Sequence, residues 1–251
     1  MSRKYDHIFF DLDHTLWDFE TNSRKALKLT LEKHKLLEQL PSFDEFVKVY
    51  EAINTRLWDD YREKKISKFL LTSQRFSMSM EPFDVSNYDS QKLNDCYLDF
   101  MAEQTGLYPN VPEILAWLKL KGYQMHIITN GFREVQKKKL QTSGLNQFIS
   151  KVFISEVVQS PKPEREIFEY ALKSCNAKKT RSIMVGDNWE VDIVGALNFG
   201  IDQVMFLNDG QNTVPEEISK QLKNPMDGSF IQQKRNKTFF IGKLEELKEI
   251  V

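Results

Sequence analysis

The chain has 251 residues, 41% of them apolar and 28% charged, with 18 Phe, 8 Tyr and 4 Trp. That is enough bulky apolar material for one large domain, or for a main domain carrying a smaller inserted one. A net charge of -1, with Lys and Arg spread along the chain, argues against nucleic acid or a membrane surface as the main partner, and two cysteines argue against a disulfide scaffold or a zinc site.

The N-terminal residues Met1 to Asp6 carry no cleavable signal pattern, and no stretch is long enough to span a bilayer, so the cytoplasm is the expected compartment. The first apolar run, Ile8-Phe9-Phe10, is short and does not alternate, as suits a strand buried on both faces of a parallel sheet. From about 20 to 105 there is only helical periodicity. Phe43, Phe46, Val47, Tyr50, Leu57 and Tyr61 recur at helical steps after Ser42 and Glu45, a capping-box pair. Eighty-odd residues exceed what one crossover needs, so this block reads as an inserted helical domain.

Strands and helices then alternate. The apolar runs are 125–128, 152–154, 183–185 and 204–207, and Phe239-Phe240-Ile241 adds an edge strand. Between them lie amphipathic stretches at 112–121, 132–143, 164–174 and 190–199; the first opens on Pro112 and stops at Gly122. The expected fold is α/β: a doubly wound, Rossmann-like parallel sheet at 1–19 and 106–251, with a helical domain at 20–105. The run Lys137-Lys138-Lys139 reads as a solvated helix face.

The polar residues of interest all follow strands, where open α/β sheets bind ligands. The first strand ends in Asp11-Leu12-Asp13-His14-Thr15. One of these acids can attack phosphorus, while the other exchanges protons with the leaving oxygen and with water. Thr129-Asn130-Gly131, after the second strand, offers a hydroxyl and backbone N–H groups to phosphoryl oxygens, or is an ordinary capped turn. Lys162, between Pro161 and Pro163, sits on stiff backbone and can neutralise charge on the nucleophile and the transferring group. Asp187 ends the fourth strand, and with Asp11 it supplies the pair of carboxylates that Mg²⁺ favours. Asp192, about a turn further on, either orients Asp187 or a bound water, or is a helix-start charge. Each signal alone is weak; their order along one sheet edge is what carries the reading.

These residues resemble the four motifs of the haloacid dehalogenase superfamily of phosphohydrolases: Asp11/Asp13/Thr15, Thr129, Lys162 and Asp187/Asp192, over nearly the whole chain. The resemblance implies that Asp11 is the nucleophile and a metal ligand, and that Asp13 is the general acid/base and a ligand through its carbonyl. It implies further that Thr129 binds the phosphoryl group, Lys162 steadies the nucleophile and Asp187 ligates Mg²⁺. Asn130 joins Thr129 and Lys162 as a substrate-binding residue, and the helical block stands where the family inserts its cap. Dehalogenases of the group lack the second acid, so Asp13 favours phosphoryl chemistry. Sugar-phosphate mutases carry a His where this chain has Ser23, which favours net hydrolysis. A phosphonate-cleaving relative would need a cap lysine, and Lys25, Lys28 and Lys33 lie in that region.

The segment Phe10 to Leu27, with Trp17-Asp18-Phe19, is most similar to the noncanonical pyrimidine 5′-nucleotidases, making a nucleotide the expected substrate. Trp17 and Phe19 either stack on a base or pack the hinge, and Trp58 is open to the same two readings. The alternatives are a phosphatase of sugar phosphates or other small metabolites, and a non-catalytic phosphate-binding module.

Overall fold

Parallel pairing sets the frame of the core. β1 (His7–Phe10) lies between β2 (Gln124–Thr129) and β4 (Ser182–Gly186), with Phe10 opposite both Ile127 and Val185. β3 (Lys151–Ile154) flanks β2, and β5 (Asp202–Phe206) flanks β4. The computed structural model describes residues 3–208, 214–220, 227–233 and 235–251.

Every residue of β4 and β5 is buried, as expected of unbroken apolar strands covered on both faces. The chain runs outward from β1 to β2 and β3, then crosses to β4 and β5 on the other side. Right-handed crossovers in the two directions bring helices to both faces and leave a crevice where the strand order reverses. The run at 239–241 belongs to β7 (Asn236–Ile241), parallel to β5, but it is not the edge. β6 (Asp227–Gln233) hairpins onto it antiparallel and takes that position. β6 has no continuous apolar run, which is why its sequence, Asp-Gly-Ser-Phe-Ile-Gln-Gln, gives no signal of a buried strand.

The chain divides into two compact units, residues 1–19 with 105–251 and residues 20–104. In the second, α1 (Phe19–Lys33, beginning one residue earlier), α2 (Phe43–Arg62), α3 (Lys68–Met80) and α4 (Ser90–Glu103) follow one another. Each of the last three has a polar side chain accepting a free N–H of its first turn: Ser42 from Glu45 (3.4 Å), Ser67 from Leu70 (3.2 Å) and Asp89 from Lys92 (3.1 Å). Phe46, Val47, Tyr50 and Leu57 of α2 are buried, and the Tyr50 ring packs 5.4 Å from Phe76 and 5.6 Å from Tyr97.

In the first unit, α5 (Val111–Leu120) precedes β2, α6 (Arg133–Thr142) follows it, and the single turn α7 (Ser155–Val158) leads to α8 (Arg165–Cys175). Phe9, Ile128, Phe153, Ile167, Phe168 and Met184 form one buried cluster against the sheet. Fully burying each such side chain contributes roughly 1.5–3 kcal/mol. After β4 the chain departs from the expected helix over 190–199. It makes a π-turn at Trp189–Val194 before α9 (Gly195–Phe199). Asn188 explains the wider turn: its carbonyl accepts both the Asp192 and Ile193 N–H groups (2.9 and 3.3 Å), and its side chain caps Val191 (2.9 Å). Such turns concentrate at functional sites. Among the described residues, no helix is long and apolar enough to cross a membrane.

Candidate active site

Because β1, β2 and β4 are parallel, their carboxyl ends deliver Asp11, Thr129 and Asp187 to one edge of the sheet. The Asp11 N–H still bonds to the Val185 carbonyl (2.8 Å), so its side chain leaves from the last position held by the ladder. Beyond it the backbone coils tightly. Leu16 and Trp17 both donate to the Leu12 carbonyl (3.0 and 2.9 Å), and His14 adopts a left-handed φ of 63°. A non-glycine residue there is uncommon and marks a constrained turn. The coil aims Thr15 at β4, where its hydroxyl donates to Asp187 (3.0 Å).

Lys162 is 1% exposed, and its ammonium is bonded to Asp11 and, at 2.7 Å, to Asp192. Its backbone is fixed from β2: the Asn130 amide donates to the Lys162 carbonyl and accepts its N–H, both at 2.9 Å. Both ends of the Asn130 side chain are thus engaged with the Lys162 main chain. Asp192 accepts the Asn188 N–H with its other oxygen (3.1 Å), a bond made possible by the π-turn. One carboxylate oxygen each from Asp11, Asp187 and Asp192 lie within 4.8 Å of one another.

Asp13 stands slightly apart. Lys139 donates to one of its oxygens at 2.6 Å and Gln136 to the other at 2.7 Å. Gln136 also reaches the Thr129 hydroxyl (2.8 Å), which accepts the Gly131 N–H as well (3.1 Å). The three-lysine run therefore does not act as one face. Lys137 and Lys138 are exposed, but Lys139 is buried. The signal was present in the spacing, since Phe132, Val135, Gln136, Lys139 and Leu140 follow the period of a buried helix stripe.

Electrostatics follow from burial and proximity. Burial pushes the Asp11 carboxyl up to about 7, Lys162 opposes that, and Asp192 and Asp13 add to it. Asp187 is raised well above the usual carboxylate range, by burial and then by Asp11 and Asp192. Burial alone would raise Asp13 too, but the Lys139 charge and the bonds from Lys139 and Gln136 hold it below its ordinary value. Burial likewise disfavours the Lys162 ammonium, and Asp11 with Asp192 outweighs it, so its pKa is raised. Two ammonium groups thus pair with three of the four carboxylates, the Thr15 hydroxyl donates to the fourth, and the cluster at 11, 187 and 192 has the charge and hard oxygen donors of a Mg²⁺ site.

Trp17 is fully buried, with the Lys139 ammonium 3.9 Å from its ring centre. Ser23 bonds to the Tyr97 hydroxyl (2.8 Å), Trp58 is half-buried against Tyr61, and Lys25, Lys28 and Lys33 are exposed on α1.

An acid pair after β1, a buried lysine bridging two acids and a further acid after β4 thus lie together at one edge of the sheet. The chain belongs to the haloacid dehalogenase-like hydrolases, whose family pattern matches residues 5–200, and within them it is a phosphatase. It is 34% identical over 217 residues to the pyrimidine 5′-nucleotidase YjjG of Escherichia coli, spanning 86% of this chain and 92% of the relative. It is 32% identical to the pyrimidine 5′-nucleotidase PynA of Streptococcus pneumoniae, over 80% of this chain and 84% of that one. Among solved structures, the magnesium-bound HAD-hydrolase YfnB of Bacillus subtilis superposes with a TM-score of 0.81 at 26% identity, over 99% of both chains.

Proposed function

We propose that the chain is a magnesium-dependent 5′-nucleotidase acting on pyrimidine nucleoside monophosphates, noncanonical ones included, through a phosphorylated Asp11. The observation that carries the reading is the Asp11–Lys162–Asp192 bridge beside Asp187, with a second acid at position 13. The nucleotide preference rests on the likeness to YjjG and PynA. In this reading the helical unit at 20–104 is the cap that selects the leaving group.

Asp11, Asp187 and the Asp13 carbonyl would hold Mg²⁺, which would offset charge on the phosphoryl oxygens. Lys162 keeps the Asp11 carboxylate ionised and oriented, and Asp192 orients Lys162. Thr129 and the backbone at Asn130 receive the remaining phosphoryl oxygens. An Asp11 oxygen attacks phosphorus, the ester P–O bond breaks, and Asp13, which takes up a proton when the negative phosphoryl group enters beside it, gives that proton to the departing alkoxide. A water then attacks the same phosphorus and loses its proton to Asp13. The bond to Asp11 breaks, phosphate leaves, and both side chains return to their starting states.

The test is a panel of phosphate monoesters assayed with Mg²⁺. Pyrimidine nucleoside 5′-monophosphates should give the highest kcat/KM, at least about tenfold above sugar phosphates, a difference of about 1.4 kcal/mol in transition-state binding. Preference for sugar phosphates would overturn the nucleotidase reading, and turnover by Asp11→Asn would overturn the nucleophile.

A further inference from the structure

The four motifs account for one buried lysine, and the structure holds a second. Lys139 lies on α6, one turn from Gln136, and its side chain is 3% exposed. Burying an ammonium costs several kcal/mol unless a partner and good geometry offset it. Here the partner is the acid at position 13, at 2.6 Å, and the ammonium also rests 3.9 Å from the Trp17 ring centre and 5.4 Å from that of Phe19. The aromatic rings limit where the ammonium can sit, and a cation over such a face is itself stabilised.

The bonds it shares with Gln136 leave Asp13 little freedom. Each carboxylate oxygen accepts one donor from α6, and the two donors, at positions i and i+3 of one helix, together fix the plane of the carboxylate. A carboxylate offers about four lone-pair directions, so roughly two remain for proton exchange with a substrate or a water. Without Lys139, Asp13 would face Asp11 with no cation of its own.

We propose that Lys139 is a positioning residue for proton transfer: it fixes the direction in which Asp13 presents the free edge of its carboxyl group, and the proton that edge carries, to the leaving oxygen. The inference rests on the reading of Asp13 as general acid/base and adds a residue outside the four motifs. It predicts a defect that grows with the basicity of the leaving group, because only a poor leaving group needs a well-aimed proton.

The experiment compares kcat/KM across an aryl phosphate series, from p-nitrophenyl phosphate to phenyl phosphate and its methoxy derivative, using full-length protein with Mg²⁺. This parameter reports events up to loss of the first leaving group. Lys139→Met should lower kcat/KM by about tenfold for p-nitrophenyl phosphate and by about a hundredfold or more for phenyl phosphate, mainly through kcat. Lys139→Arg, which keeps the cation, should recover most of the wild-type slope. Asp13→Asn serves as the reference and should be the steepest. If Lys139→Met does not fold, Lys139→Gln is read in its place against the same expectation. Equal losses across the series, or none, would overturn the role of Lys139 while a steep Asp13→Asn series left the acid/base reading standing. A flat Asp13→Asn series would instead overturn that reading.

Discussion

The ammonium of Lys162 stands 2.7 Å from an Asp192 oxygen contributed by a π-turn thirty residues further along, and both side chains are 2% exposed. It is also bonded to Asp11, so one cation holds Asp11 and Asp192 together out of water. Removing one member of such a bridge leaves uncompensated buried charge, which is far costlier than replacing the whole bridge. Lys162→Met should therefore lose about 3–5 kcal/mol of stability as well as at least a hundredfold in activity. Urea denaturation at pH 7 checks the first; a wild-type midpoint would mean the bridge is not needed for the fold.

Asp187 predicts an effect of opposite sign. Its carboxyl is raised by burial beside Asp11 and Asp192, so the site without metal is a repulsive cluster that a divalent ion would relieve. Wild-type Tm should rise with Mg²⁺, by an amount that grows with the logarithm of concentration above Kd. Asp187→Asn should leave the Tm in EDTA equal to or above that of the wild type and abolish the Mg²⁺ response. A full Mg²⁺ shift in this variant, read by scanning calorimetry, would place the ion elsewhere.

Gly186 ends β4 where a Cβ would collide with the Asp192 side chain. Gly186→Ala should push Asp192 off Lys162, and a displacement of about an ångström there can cost activity on the order of a hundredfold. Gly131→Ala should act in the same way through Gln136, which a Cβ at that position would strike. Steady-state kcat for both variants, set against their urea midpoints, separates misplacement of the site from loss of fold.

At the other end of the strands, the His7 and His126 rings stack at 5.4 Å, with Nδ1 of one 3.1 Å from Nε2 of the other. Burial, then His7 and Lys151, lowers His126 from 6.5 to about 4. The unfolded chain thus takes up this proton below about pH 6.5, while the folded chain resists until about pH 4. The contribution to stability is complete above pH 6.5 and declines as pH falls through that window, by roughly 2 kcal/mol at pH 5. His126→Phe, flanked by Phe9 and Phe153, should flatten the decline between pH 7 and 5 by that amount. Parallel pH profiles for the two proteins would remove His126 as the cause.

Much of the core could be read from local pattern. The runs ending at Phe10, Ile128, Ile154 and Val185 lie in strands, because a strand buried on both faces needs unbroken apolar side chains whatever its neighbours. β6 escaped because a polar antiparallel strand at the sheet edge needs no such run. The Trp189–Val194 π-turn escaped because its cause is the contact of Asn188 with Val191, Asp192 and Ile193, and its stripe of apolar residues reads equally well as an α-helix.

The amino-acid order by itself determined which acids and which lysine follow which strands, since apolar runs and the polar residues that end them are local properties. Whether those groups meet was decided by parallel pairing, which aligns the ends of β1, β2 and β4 although β1 lies more than a hundred positions before either of the others. The same holds for Lys139. Its place on the helix is a matter of period, but its burial beside Asp13 depends on how α6 lies against the turn after β1, and only that packing distinguishes it from the two exposed lysines that precede it.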